Sequence, residues 1–261
     1  MRTIHYELLR PNEILAEKKR FSVAYIPYSP IEWHGVHNPI GVDGLNAQFL
    51  AWEAAKKIGG LVLPTLFMGT EGRLNEKQLA SHGFSKDEYI VGIDFPKNTI
   101  PSMYFHDETL TLVLRDIVRM LDEQEYKLIV LVNAHGPAPH MRVLEAFEEE
   151  CRHTLKNAKF LLAKYEMQVE IAGGHGTQLE TSLMMHEYPG SVDLGELPAK
   201  PEILYGRDIG IADDEVYAGD PLPDFSVRRD PRDATAELGK RAVETIVENL
   251  CAQVLECYNM L

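Results

Sequence analysis

Pro30 to Gly44 reads PIEWHGVHNPIGVDG and crowds Glu32, His34, His37 and Asp43 into one stretch where a simple turn would use Gly, Asn and Ser. Glu32 and His34 are two residues apart, so an extended backbone points both side chains the same way. Farther along the chain, His135 closes the run VLVNAHG, and His175 and Glu180 stand in GGHGTQLETS. Carboxylates mixed with imidazoles suit Zn²⁺ or Mn²⁺. Glu32, His34, Asp43, His135 and Glu180 are too many ligands for one closed tetrahedral ion, but they suit two. With Asp43 as a bridge, Glu32, Asp43 and His135 would hold one cation, and His34, Asp43 and Glu180 the other. Each ion then keeps an open position for water, the mark of a catalytic site. Three carboxylates and one hydroxide nearly cancel two divalent charges, so such a cluster can be partly buried. Singly, each residue has a plainer reading. Asp43 could cap a helix starting near Leu45, and Glu180 could be a first-turn acid complementing a helix dipole.

Positioning these groups requires several strand ends to meet. FSVAYIPY (Phe21 to Tyr28) reads as a strand, LNAQFLAWEAAKKI (Leu45 to Ile58) as a helix, and GLVLPTLF (Gly60 to Phe67) as a strand again. Asp107 to Gln124 opens with an Asp cap and lines up Leu110, Leu114, Ile117 and Leu121 on one helical face. KLIVLVNAHG (Lys127 to Gly136) is apolar enough for a strand buried on both sides. A helix follows from about Met141, then a strand AKFLLAKY (Ala158 to Tyr165) and a helix from about Leu179 to His186. The alternation predicts an α/β fold: one domain over residues 1–261, with a mostly parallel central sheet and helices on both faces. In such sheets ligands bind beyond the carboxyl ends of the strands, where every residue singled out above falls. Two long loops break the rhythm, at about 68–103 and 190–232. The chain ends on a packing helix in which Leu238, Ala242, Ile246, Leu250 and Val254 recur every four residues.

The totals exclude several classes. The chain has 261 residues, enough to bury a sizeable core without staples. Asp and Glu outnumber Lys and Arg by 40 to 26, and the net charge of −14 opposes nucleic acid and acidic membrane surfaces. No stretch approaches the ~20 apolar residues of a membrane span, and the first residues lack a signal-peptide core. A cytoplasmic protein acting on a small molecule is expected. Cys151, Cys251 and Cys257 have no C-x-x-C spacing and read as reduced thiols.

In the order of its blocks the sequence resembles the creatininase (creatinine amidohydrolase) family. EWHGVHNPIGVD (Glu32 to Asp43) is similar to that family's E-Q-H-G-P-H-L-P-L-x-T-D segment. DETLTLVLRDIVRML, NAHGPAP from Asn133, HGTQLETS from His175 and the Asp230 to Gly239 block continue the likeness over about Phe21 to Leu250. The resemblance implies a binuclear Zn²⁺ or Mn²⁺ hydrolase, often a homo-oligomer of six chains. It implies metal ligands at Glu32, His34, Asp43 and His135, and a proton-moving catalytic histidine at His175. The chain also departs from creatininase proper. Pro137 stands where that enzyme has a glutamate ligand, which leaves Glu180 as the fifth ligand. Tryptophans that would close over creatinine are missing, since only Trp33 and Trp52 are present.

The expected reaction is attack of a bridging hydroxide on the carbonyl of a small cyclic amide or formamide, with His175 protonating the departing nitrogen. The same site could instead cleave a C–C bond in a cyclic polyol diketone. A family metallopeptidase and a binding protein without turnover are further readings. Trp33 could wall the substrate pocket or belong to the core. His82 and His106 could contact substrate, even from a neighbouring subunit. His37 is expected to brace its loop, and His140, His153 and His186 to be solvated or structural.

Overall fold

The structure, a computed structural model, describes residues 2–94, 100–163, 174–202, 204, 206–207, 210–211 and 230–261. In chain order the elements are α1 (Pro11–Arg20), β1 (Val23–Ser29), α2 (Val42–Ile58), β2 (Leu61–Val62), β3 (Leu66–Phe67), α3 (Glu76–His82), α4 (Asp107–Glu123), β4 (Leu128–Asn133), α5 (Ala138–Thr154), β5 (Lys159–Ala163), α6 (Gln178–Glu187), β6 (Gly206–Arg207), β7 (Gly210–Ile211) and α7 (Ala236–Asn259). β1 and β4 are buried along their whole length, as their unbroken apolar runs require. They pair in parallel from Val23 opposite Leu128 to Tyr28 opposite Asn133. β5 extends the sheet beyond β4, while β2 and β3 both pair with β1, and all these pairings are parallel.

That register decides where the chemistry sits. Because β1 and β4 end level with each other, the residues that follow them emerge at one edge of the sheet: Glu32 and His34 from one strand, His135 from the other. Alternation along the strands divides the core. Val23, Tyr25, Leu128 and Val130 pack with α2, α6 and α7 on one face. Ala24, Ile26, Ile129 and Leu131 pack with α4 and α5 on the opposite face. Each Val, Leu or Ile among them, fully withdrawn from water, stabilises the fold by ~1.5–3 kcal/mol. α6 and α7 lie backbone to backbone, since a Cβ added at Gly239 would fall 1.9 Å from the Ser182 carbonyl oxygen.

Several boundaries differ from the sequence reading. α2 begins at Val42, capped by Gly41, so Asp43 lies in its first turn and is not the cap ahead of Leu45. The strand expected over Gly60 to Phe67 is two short strands, because Pro64 has no N–H to continue a ladder. α4 starts at Asp107 with His106 in the cap position, and Asp107 accepts a hydrogen bond from Thr70 Oγ1 (2.6 Å). Its core face carries Leu110, Leu114, Val118 and Leu121, with Ile117 only partly buried. α5 begins at Ala138, three residues ahead of Met141. Neither α1 nor α3 was expected. The first is set by Pro11 at its start and by Glu13, whose carboxylate accepts the Arg10 N–H and guanidinium, the second by a capping box between Asn75 and Gln78. The end of the predicted strand at Tyr165 and most of the second long loop lie outside the described residues. Among those described, no helix is long and apolar enough to cross a membrane.

Candidate metal centre

The first turn of α2 carries Asp43 beneath the ends of β1 and β4, where its two oxygens face different imidazoles. Oδ1 is 3.1 Å from His34 Nε2, and Oδ2 is 2.9 Å from His135 Nδ1. Glu32 Oε2 also approaches His135 Nδ1 (3.2 Å), and Glu180 Oε2, from the first turn of α6, lies 3.8 Å from His34 Nε2. Glu32, His34, Asp43 and His135 are all buried. Glu32, Asp43 and His135 form one group of donor atoms close enough to hold a cation, and His34, Asp43 and Glu180 form another. Asp43 belongs to both. A third group joins Glu32 and His34 to His175, whose Nδ1 is 3.6 Å from Glu32 Oε2.

Backbone contacts fix the tautomers that this geometry needs. His34 Nδ1 donates to the Glu32 carbonyl (2.9 Å) and its protonated Nε2 donates to Asp43 Oδ1, so Nε2 is the nitrogen that a cation would take over. His175 Nε2 donates to the Trp33 carbonyl, so its free lone pair is on Nδ1. The turn that delivers His175 depends on Gly176. Its φ of +63° suits glycine, and a Cβ there would lie 2.7 Å from the His34 carbonyl oxygen. The Gly176 N–H donates to Glu180 Oε2 (2.5 Å), so Glu180 also serves the helix-start role that its position suggests.

The charges are mutually supporting. Burial alone opposes ionisation of the two imidazoles, but Asp43 and Glu180 around His34, and Glu32 and Asp43 around His135, push both up to about 10. The same contacts hold the Asp43 carboxyl well below the usual range against its own burial. Glu180, where burial prevails, is pushed up to about 7. His175 is brought down to about 4 by burial and by the neighbouring His34, and is neutral at ordinary pH. Three acids and two strongly basic imidazoles packed this closely form a cation-seeking cluster, and its N and O donors fit Zn²⁺ or Mn²⁺.

Nearly the whole chain can be matched to known proteins. The model of the creatininase family, creatinine amidohydrolase, matches residues 7–254. This chain belongs to the creatininase family. A creatinine amidohydrolase from Pseudomonas putida is 26% identical over 255 residues, which cover 90% of this chain and 89% of the relative. Among solved structures, a creatinine amidohydrolase (creatininase) superposes with a TM-score of 0.68 at 23% identity, covering 98% of both chains. A manganese form of creatininase gives 0.68 at 23%, again over 98% of each chain. A Zn-Zn form of a creatininase variant gives 0.68 at 24%, with the same coverage.

In this creatininase-family chain the cluster floors a cavity of about 720 Å³, well within the range of small-molecule sites. Pro137 caps α5 on the cavity wall and presents no donor, while Glu180 reaches His34 from the other side. Trp33 is 8% exposed. Its ring centroid is 6.3 Å from that of His175 and it is not among the described lining residues, so it packs behind the catalytic candidate. His106 is exposed and lines an adjoining cavity with Thr70, Glu71 and Tyr104, and it is not among the described residues lining the cluster cavity. His82 does line the cluster cavity. His37, buried and bonded to Thr181 Oγ1 (3.0 Å), braces its loop.

Three residues that sequence reasoning missed belong to this creatininase-family site. Tyr104 donates its hydroxyl to Glu32 Oε1, and Glu71 lines the cavity with its Oε2 3.9 Å from His135 Nε2. Both fall in or beside the first long loop, where no periodicity marked them. The third is Asn133. Its side chain donates to the His135 carbonyl (2.6 Å) and accepts from the His135 N–H (3.3 Å), fixing the turn that aims the imidazole. The NAHG string was the available signal.

Proposed function

We propose that this protein is a binuclear metal-dependent hydrolase that cleaves the C–N bond of a small cyclic amide or formamide. Glu32, Asp43 and His135 would hold one divalent ion, and His34, Asp43 and Glu180 the other. The observation that carries the reading is the split of Asp43: one buried carboxylate directs each oxygen to a different imidazole at the floor of an open cavity. Two such ions, when bound, lower the pKa of water between them and polarise a carbonyl. The protein's own groups do the rest. Tyr104 and the Asn133 turn hold Glu32 and His135 in place. His175, anchored through Nε2 on the Trp33 carbonyl, keeps a lone pair at Nδ1 facing the cluster. It takes a proton there from the attacking water and passes it to the departing nitrogen as the C–N bond breaks.

A panel of cyclic amides, formamides and cyclic diketones, assayed with wild type and His175→Ala, tests this. Turnover of a C–N substrate is expected, falling about 10²- to 10⁴-fold in the variant. Turnover restricted to diketones would favour C–C cleavage by the same residues, and undiminished turnover in the variant would remove His175 from proton transfer.

A further inference from the structure

His135 presents Nδ1 to Asp43 and Glu32, and its other nitrogen, Nε2, is buried with no hydrogen-bond partner among the described residues. The residue is 3% exposed and lines the cluster cavity. A buried imidazole N–H left unbonded is costly, and such groups in native proteins have a use. Glu71 faces it across the cavity. Its Oε2 is 3.9 Å from His135 Nε2, too far for a hydrogen bond, while Oε1 is engaged by the Gly72 N–H (2.5 Å). No Lys or Arg lies within ion-pair distance of Glu71 among the described residues. The loop holding Glu71 is seated on α5, since a Cβ at Gly72 would lie 3.0 Å from Pro139 Cγ. A donor and an acceptor 3.9 Å apart, both lining one cavity, match a single oxygen that accepts from one and donates to the other. A hydroxyl group does both.

We propose that Glu71 and His135 Nε2 form a hydroxyl-binding notch beside the metal centre, so that the substrate is a small carbonyl compound bearing an alcohol. The inference rests on the binuclear hydrolase reading and adds the chemical class of its substrate. Glu71 is then a specificity residue. The amide and diketone classes both include hydroxylated members, and the notch selects these within either.

Hydroxamates bind divalent cations directly and serve as probes. Calorimetry on the zinc-loaded protein would compare straight-chain hydroxamates, matched in length, with and without a hydroxyl at C2, C3 or C4. In wild type at least one hydroxylated member binds about tenfold tighter than its unsubstituted partner. In Glu71→Ala that gain disappears, so that within the zinc-loaded variant hydroxylated and unsubstituted probes bind alike. Glu71→Gln, which keeps the shape and an uncharged acceptor, retains no more than about a threefold gain. Equal affinities for every matched pair in wild type, or a gain that survives in Glu71→Ala, overturns the notch and leaves the metal centre intact. Failure of all hydroxamates to bind wild type would refute the metal centre and the notch together.

Discussion

Asp43 Oδ2 and His135 Nδ1 lie 2.9 Å apart although 92 residues separate them along the chain. The parallel register of β1 and β4 closes that gap by ending both strands level, with α2 starting just beneath. The consequences reach beyond the five donors themselves.

Metal uptake will release protons. His34 and His135, each raised to about 10 by the surrounding carboxylates against the effect of burial, are protonated in the metal-free protein near pH 7.5. Their ion pairing stabilises the metal-free fold fully below the ordinary histidine value, and is lost as pH rises through about 10. A bound cation must displace these protons, so affinity falls with falling pH. Zinc titrations in buffers of different ionisation enthalpy should show about two protons released per chain at pH 7.5. Release of none would show that the imidazoles do not take part.

His140 will prove to be a positioning residue for His135. It is fully buried, accepts the Thr70 N–H at Nδ1 (3.3 Å), and donates from Nε2 to Asn133 Oδ1 (3.0 Å). Its ring meets that of His135 edge to face at 4.8 Å. Replacing His140 by Ala leaves the buried Thr70 N–H without its acceptor and removes the shortest bond to Asn133 Oδ1, and should lower stability by about 2 kcal/mol. Zinc affinity should drop about 10- to 100-fold through misalignment of His135. A variant with reduced thermal stability and unchanged zinc affinity would restrict His140 to packing.

Asp122 anchors the far side of the sheet. Its carboxylate accepts from the backbone N–H groups of Asn157 (2.8 Å), Ala158 (2.8 Å) and Lys156 (3.2 Å), locking the turn between α5 and β5. Burial pushes this carboxyl up, but those bonds together hold it below its ordinary value. A depressed carboxyl contributes stability above its unfolded value, near pH 4, and loses it as pH falls through the folded value. Asp122→Asn should therefore unfold about 1–2 kcal/mol more easily at pH 7, with the difference shrinking below about pH 4. A difference independent of pH would contradict the role of its charge.

Much of this site was legible in the chain because its donors cluster at strand ends, and strand ends can be read from apolar runs. VLVNAHG fixes both β4 and the position of His135, and EWHG follows directly on β1. Glu71 and Tyr104 were not legible. They reach the cluster through a loop whose path is set by contacts distant in sequence, such as Gly72 against Pro139 and Gly92 against Tyr104, and no local pattern encodes these. Asp43 was identified as a bridging candidate, yet its helix was placed three residues late, because neither Gly41 nor Val42 is a strong start signal. His106, whose position beside a long loop suggested the pocket, stands at the start of α4 in an exposed adjoining cavity.

The sharing of Asp43 is best tested by counting metal. Elemental mass spectrometry of purified wild type should find close to two divalent ions, zinc or manganese, per chain, and Asp43→Ala should lose both while remaining folded by circular dichroism. A folded Asp43→Ala protein that keeps one ion, or a wild type that binds none when supplied with zinc, would contradict the account.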